Sequence, residues 1–265
     1  MPPRPIWTGS ISFGLVNIPV RLVTAVRRTE ISFHQLHGKD GVRLRQKLIC
    51  PADQEEVSRD DIVRGYEIAP DQYVIVDEAE LDAFVPESSR NMDITDFVDL
   101  PQIDPIYYDR PYYLLPGENA ERPYHLLVRA MEEAGKVGIA KFVMRQKEYL
   151  AALRPVRGAI CLEIMHFADE VIPIDELSVP EKMEVDERQL KVANQLIEAL
   201  ASDFEPGKYH DEFTEQVRDL LAKKAEGEVI KPPPVSEAQP TEPVDLLAAL
   251  EASLKTARER QPQPA

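Results

Sequence analysis

The chain has 265 residues, 43% of them hydrophobic, with two cysteines and a formal net charge of −16. That length suits one large domain with appendages or two small ones, and the apolar content is ample for a packed core. Cys50 and Cys161 lie far apart in a chain with no secretory signal pattern, which argues against a disulfide framework and for a reducing cytosol; no run of about 20 apolar residues is present to span a membrane.

From Ile6 to about Ala25, short runs of Ile, Val and Phe broken by Gly9, Gly14, Asn17 and Pro19 predict strands with tight connections, opening a β-rich core. ISFHQLH (31–37) and VRLRQKLI (42–49) read as strand-like pieces joined by the turn GKDG, with a polar, irregular stretch after them to residue 66. Alternation would set Arg43, Arg45 and Lys47 on one strand face, which serves equally as a solvated face or as a surface for a polyanion. YVIVDEAEL (73–81), ITDFVDL (94–100) and PIYYDRPYYLL (105–115) continue the β pattern.

The period then changes. Pro123 in a first turn, Leu126, Leu127, Ala130, Met131 and Ala134 at helical spacing, and Gly135 behind them predict an amphipathic helix of about three turns. Two strands are expected next, VGIAKFVMRQ (137–146) and the run from Ala159 to Phe167. In the first, Lys141, Val143 and Arg145 would share a face that Lys147 continues. Beyond Val179 the chain turns helical and acidic, with apolar stripes over Asp186 to Ala201 and Asp211 to Ala225 that need something to pack against. KPPPVSEAQPTEP (231–243) reads as an extended linker, and VDLLAALEASLKTARER (244–260) as a short helix striped with Leu246, Leu247, Leu250 and Leu254. Such a helix is marginal alone, so it seeks either a partner groove or its own core.

Charge is sorted along this order. Residues 1–50 carry eight bases against Glu30 and Asp40, and residues 122–157 carry eight against Glu132, Glu133 and Glu148, whereas the other two stretches are strongly acidic. A polyanion would be attracted only where the basic segments converge.

The strings IWTGSISFGLVNIPVRL (6–22), ISFHQLH (31–37), IVRGYE (62–67), IDPIYYDRPYYLLP (103–116), GKVGIAKFVMRQKEYLAALRP (135–155), HFADEV (166–171) and FEPGKYHDEF (204–213) resemble, in order over essentially the whole chain, the bacterial Ku proteins of non-homologous end joining. The resemblance implies a mixed, mainly β fold: a Ku-core β-barrel over residues 1–180, a bridging arm at about 27–65 and a C-terminal helical region. It further implies a homodimeric ring that threads ends of double-stranded DNA, dimerisation through helices at 181–228, a linker at 229–243, and recruitment of the end-joining ligase, ligase D, through 244–265. Two excursions of about 20 extended residues reach up to ~65 Å, so the arm is long enough to arch over a duplex.

On that reading Arg27, Arg28, Lys39, Arg43, Arg45 and Lys47 line the arm, Lys141, Arg145 and Lys147 line a cradle, and Leu246, Leu247, Leu250 and Leu254 meet the ligase. Phosphate contacts carry no sequence information, as a break-recognition protein requires. No cofactor or metal is expected. Many relatives have a cysteine pair where this chain has Cys50 and Asp53, and His34, His37 and Cys50 leave a structural zinc site one ligand short. The adjacent acid pairs Asp60/Asp61, Glu132/Glu133 and Asp169/Glu170 diverge, and no P-loop, nucleophile elbow or HExxH occurs, so an enzyme is not expected. An acidic interaction scaffold is the alternative, but it leaves the clustering of bases unexplained. Trp7 and the tyrosines at 107, 108, 112 and 113 are read as core and rim of the barrel, and His125 and His166 as structural. The chain is placed in the bacterial cytoplasm, on the nucleoid when bound to DNA.

Overall fold

A computed structural model describes residues 4–27, 29–84, 90–180, 183–227 and 246–260. Arg28 and the linker at 229–243 lie outside the described residues. The chain divides into two units, residues 1–29 with 33–176, and residues 30–32 with 177–265.

The first unit is built on a closed seven-stranded barrel. Strands β1 (Trp7–Phe13) and β2 (Val16–Thr24) form a hairpin whose turn needs Gly14, at φ 58°. Pro19 lies inside β2 opposite Ser10, just before the first residue, Val20, that pairs with the next strand. Its missing N–H therefore costs no rung on that side. In chain order strands β3 (Arg64–Ala69) and β4 (Gln72–Val76) and the short helix α1 (Glu78–Asp82) come next. The barrel resumes with β5 (Asn91–Asp99) and β6 (Tyr108–Pro116), helix α2 (Glu121–Ala134), then β7 (Lys136–Met144), β8 (Lys147–Val156) and β9 (Ala159–Met165). The barrel order is β1-β2-β6-β9-β8-β7-β5, closed by a parallel pairing of β5 with β1 in which Ser10, Ile11 and Ser12 face Asn91, Met92 and Asp93.

Two expectations needed correction. No strand of its own is expected over 147–156, yet β8 pairs along its whole length with β7 and with β9. The segment 73–81 divides, its first part in β4 and the rest turning helical after Asp77, whose N–H donates to Glu80 Oε2 at 2.9 Å.

Alternate residues of the barrel strands, among them Val20, Leu22, Leu114, Phe142, Leu153 and Leu162, bury their side chains in one core. Helix α2 adds Tyr124, Leu127, Val128 and Met131 to it, while Leu126, counted toward the stripe from sequence, is 70% exposed. The stripe is rotated because the tyrosine anchors it: Tyr124 Oη donates to the Leu114 carbonyl (2.6 Å) and accepts from the Ile160 N–H (2.8 Å). Gly135, at φ 63°, ends the helix. Trp7 is half-buried, edge-on to Phe142, and its indole N–H donates to the Val143 carbonyl at 3.0 Å.

The second unit holds α3 (Glu187–Leu200), α4 (Glu212–Ala225) and α5 (Leu246–Arg260). The carboxylates of Asp186 and Asp211 cap the first two. Helix α5 packs on α3, burying Leu254 and Ala257, and Arg188 lies 3.9 Å from Glu251. Leu190, Ile197, Leu200, Phe204, Tyr209 and Phe213 stay exposed.

Candidate nucleic-acid interface

Two turns of the same design flank Arg43, Arg45 and Lys47, and the first of them contains Lys39. In the first, His37 N–H donates to the Val42 carbonyl and Gly41 N–H to the His37 carbonyl, each at 2.8 Å. Asp40 Oδ1 accepts from Val42 N–H (3.0 Å) and lies 3.0 Å from His37 Nδ1. In the second, Cys50 N–H donates to Glu55, Gln54 N–H to Cys50, and Asp53 Oδ1 accepts from Glu55 N–H. The left-handed residues are Gly41 (φ 69°) and Gln54 (φ 64°). The Val42 N–H, then His37, holds the Asp40 carboxyl below its ordinary range; the Glu55 N–H, then the Cys50 thiol, does the same for Asp53. Among the described residues, no three His, Cys, Asp or Glu side chains come together as a metal site would need.

These turns displace the expected strands. Residues 31–37 and 42–49 form only the isolated bridges Leu36–Arg43 and Ile49–Glu56. Strand alternation therefore does not align Arg43, Arg45 and Lys47. Arg43 and Arg45 instead line an open groove with Phe33, His34 and Arg59, while Lys47 pairs with Glu56. Arg59 escaped sequence reasoning because Asp60 and Asp61 follow it and cancel its charge in any local count. Among the described residues, Arg27, Lys39, Arg43, Arg45 and Arg59 have no ion-pair partner, so all five charges are free for an anion.

The cradle residues meet at the β7–β8 hairpin but not on one face. Arg145 (φ 52°) and Gln146 (φ 62°) make a two-residue turn of the I′ kind, which sets Met144 opposite Lys147 and Val143 opposite Glu148. Lys147 thus shares a face with Met144 and Tyr149, and Lys141 shares the other with Val143 and Glu148. Lys141 Nζ lies 3.6 Å from Glu148, Lys147 Nζ lies 3.9 Å from Glu170, and Arg145 at the tip has no ion-pair partner among the described residues.

A family model described as the Ku70/Ku80 beta-barrel domain matches residues 12–192. This chain belongs to the Ku family. It is 45% identical to the non-homologous end joining protein Ku of Anaeromyxobacter sp. (strain K), over 97% of this chain and 87% of that one. It is 41% identical to the non-homologous end joining protein Ku 1 of Geotalea uraniireducens (strain Rf4), over 97% and 98% respectively. The non-homologous end joining protein Ku of Desulfitobacterium hafniense (strain DSM 10664 / DCB-2) is also 41% identical, over 97% and 90%. The closed barrel is thus a Ku barrel, and the segment with the two Asp-centred turns and the β3–β4 hairpin lies between its strands β2 and β5. No described helix is long and apolar enough to cross a membrane.

The four leucines expected to meet a ligase lie on α5. Leu246 is exposed, Leu247 and Leu250 are half-buried, and Leu254 is buried at 7% exposure.

Proposed function

We propose that this chain is a non-catalytic protein of non-homologous end joining that binds ends of double-stranded DNA as a homodimeric ring, without sequence preference. The observation that supports it most is the arm with the β3–β4 hairpin behind it: between Phe33 and Phe84 no described side chain is buried, and Lys39, Arg43, Arg45 and Arg59 have no ion-pair partner among the described residues. Exposed Phe33, Leu36, Val42, Leu44, Tyr66 and Tyr73 would be covered by a second copy, and a closed two-fold assembly is the commonest way to cover such a surface. The exposed apolar residues of α3 and α4 would add to that contact. Ligase D would be recruited by α5 through Leu246, Leu247, Leu250 and Leu254, the last of which engages only when α5 leaves α3. The protein acts in the bacterial cytoplasm, on the nucleoid.

Phosphate contacts make such binding steeply salt-dependent; a protein making about 6–10 of them loses on the order of 10³–10⁵ in affinity between about 50 and 200 mM salt. The test is a gel-shift with blunt linear duplex, the same sequence as a closed circle, and linear duplex blocked by bulky groups at both ends. Binding to the open linear form alone supports threading. Equal binding to all three replaces the ring with an open groove, and binding to none leaves an acidic interaction scaffold. Arg43→Glu with Arg45→Glu should weaken binding to every sequence alike.

A further inference from the structure

Resting on the DNA-binding reading above, we propose that Glu148 and Glu170 are positioning residues that hold Lys141 and Lys147 back from the DNA phosphates. They would limit the grip of the barrel cradle while the arm supplies most of the electrostatic hold.

The geometry differs between the two sets of bases. Lys39, Arg43 and Arg45 of the arm have no ion-pair partner among the described residues, whereas each cradle lysine faces a carboxylate within 4 Å. Glu148 stands one rung from Lys141 on the same strand face, a diagonal that long side chains span. Glu170 comes from the loop after β9 and is fixed by backbone: its Oε2 accepts from the Phe167 N–H at 2.9 Å and lies 3.7 Å from His166 Nδ1, while Oε1 faces Lys147. The same loop carries Phe167, whose ring centre is 5.8 Å from Lys141 Nζ, and Tyr149 holds Lys147 at 5.4 Å. Both lysines stay more than half exposed, at 54% and 61%, so the pairing acts through charge rather than burial.

The consequence is specific to polyanion binding. A base adds to the salt dependence by neutralising a phosphate and releasing a condensed counterion, about 0.9 in the slope of log K against log salt per contact on duplex DNA. A lysine with a carboxylate beside it adds less net charge to the surface, and the carboxylate repels the phosphate. Of the three cradle bases only Arg145 is without an ion-pair partner among the described residues, so a ring of this design is held from the arm side and lies loosely on the barrel, as sliding along a duplex requires.

The experiment measures the salt dependence of equilibrium binding of the full chain to a blunt linear duplex, for the wild type, E148Q/E170Q, K141Q/K147Q and the quadruple variant. E148Q/E170Q should steepen the slope by about 2, so that its gain in affinity shrinks about tenfold between 50 and 200 mM salt. K141Q/K147Q alone should leave the slope near that of the wild type, and the quadruple variant should lose the gain. An unchanged slope in E148Q/E170Q overturns the proposal. So does a gain that persists in the quadruple variant, since the acids would then repel the duplex directly, and so does a wild-type slope that falls by about 2 in K141Q/K147Q, since the lysines would then be gripping phosphate already. Exposed pairs of this kind contribute little to stability, so the variants keep the fold. A wild type that does not bind duplex at all refutes the DNA-binding reading itself, whereas a wild type that binds with a slope indifferent to E148Q/E170Q refutes only the role of the acids.

Discussion

The barrel and the arm belong to one chain and one unit yet are held by different physics. The barrel buries Ile11, Val20, Leu22, Met92, Leu114, Leu153, Ile160 and Leu162 completely or nearly so, and closes its hydrogen-bond ladder so that no edge is left. Between Phe33 and Phe84, among the described residues, nothing is buried. There the shape comes from turns, Asp40 and Asp53 holding the backbone of each, and from the short β3–β4 hairpin. A segment with so little of its apolar surface removed from water gains little from folding by itself. The barrel therefore carries its own core, whereas among the described residues the apolar side chains between Phe33 and Phe84 are left in water.

The strongest way to break that contrast is to cut into the barrel. Leu162→Ala removes a wholly buried side chain from the centre of the core and should lower stability by about 2–5 kcal/mol in denaturant unfolding. A next, smaller effect is expected at the seam. Gly9 sits where β1 passes Arg90, and a Cβ there would collide with the Arg90 carbonyl and the Trp7 ring. Gly9→Ala should cost about 1–3 kcal/mol and shift tryptophan fluorescence as Trp7 leaves its place beside Phe142. In the arm the outcome should invert. Leu44→Ser, at a side chain 52% exposed, should move the unfolding transition of the dilute chain by no more than about 0.5 kcal/mol, and instead weaken self-association in sedimentation. An arm substitution that destabilised the dilute chain as much as Leu162→Ala would dissolve the contrast.

How much of this was legible follows the same division. The helices over 187–200 and 212–225 were readable because Asp186 and Asp211 announce their starts, and α2 because Pro123 and Gly135 bracket it. β8 was not readable: KEYLAALRPV is rich in Ala and Leu, and its strand state is imposed by β7 and β9 on either side. The arm erred the other way. VRLRQKL alternates like a strand, but the Asp-centred turns on each side leave it no neighbour beyond a single bridge, so the alternation never becomes a face. At the cradle the residues were identified but not their arrangement, because a two-residue turn between Met144 and Lys147 shifts the parity of every position after it. The acids that decide what the cradle lysines can do, Glu148 and Glu170, are brought to Lys141 and Lys147 only by the fold.

The two cysteines give the smallest and most local test. Cys161 lies on β9, 4% exposed, with its thiol 3.4 Å from Glu163 Oε1, and Glu163 in turn is held by Arg154 at 3.0 Å. Burial first, and the neighbouring carboxylate second, push this thiol up to about 11. Cys50 is on the arm and partly exposed. At pH 8 only about one part in a thousand of Cys161 is then thiolate, the reactive form. Iodoacetamide followed by mass spectrometry should therefore label Cys50 well before Cys161. Because the folded state raises this group above its unfolded value of 9.0, it favours the protonated thiol, and the associated stability is complete below about pH 9 and lost as pH rises toward 11. Cys161→Ala should flatten that alkaline limb slightly. Equal labelling of the two cysteines at pH 8 would mean that β9 opens as readily as the arm, and that the closed ladder protects its outer face no better than two hydrogen-bonded turns protect theirs.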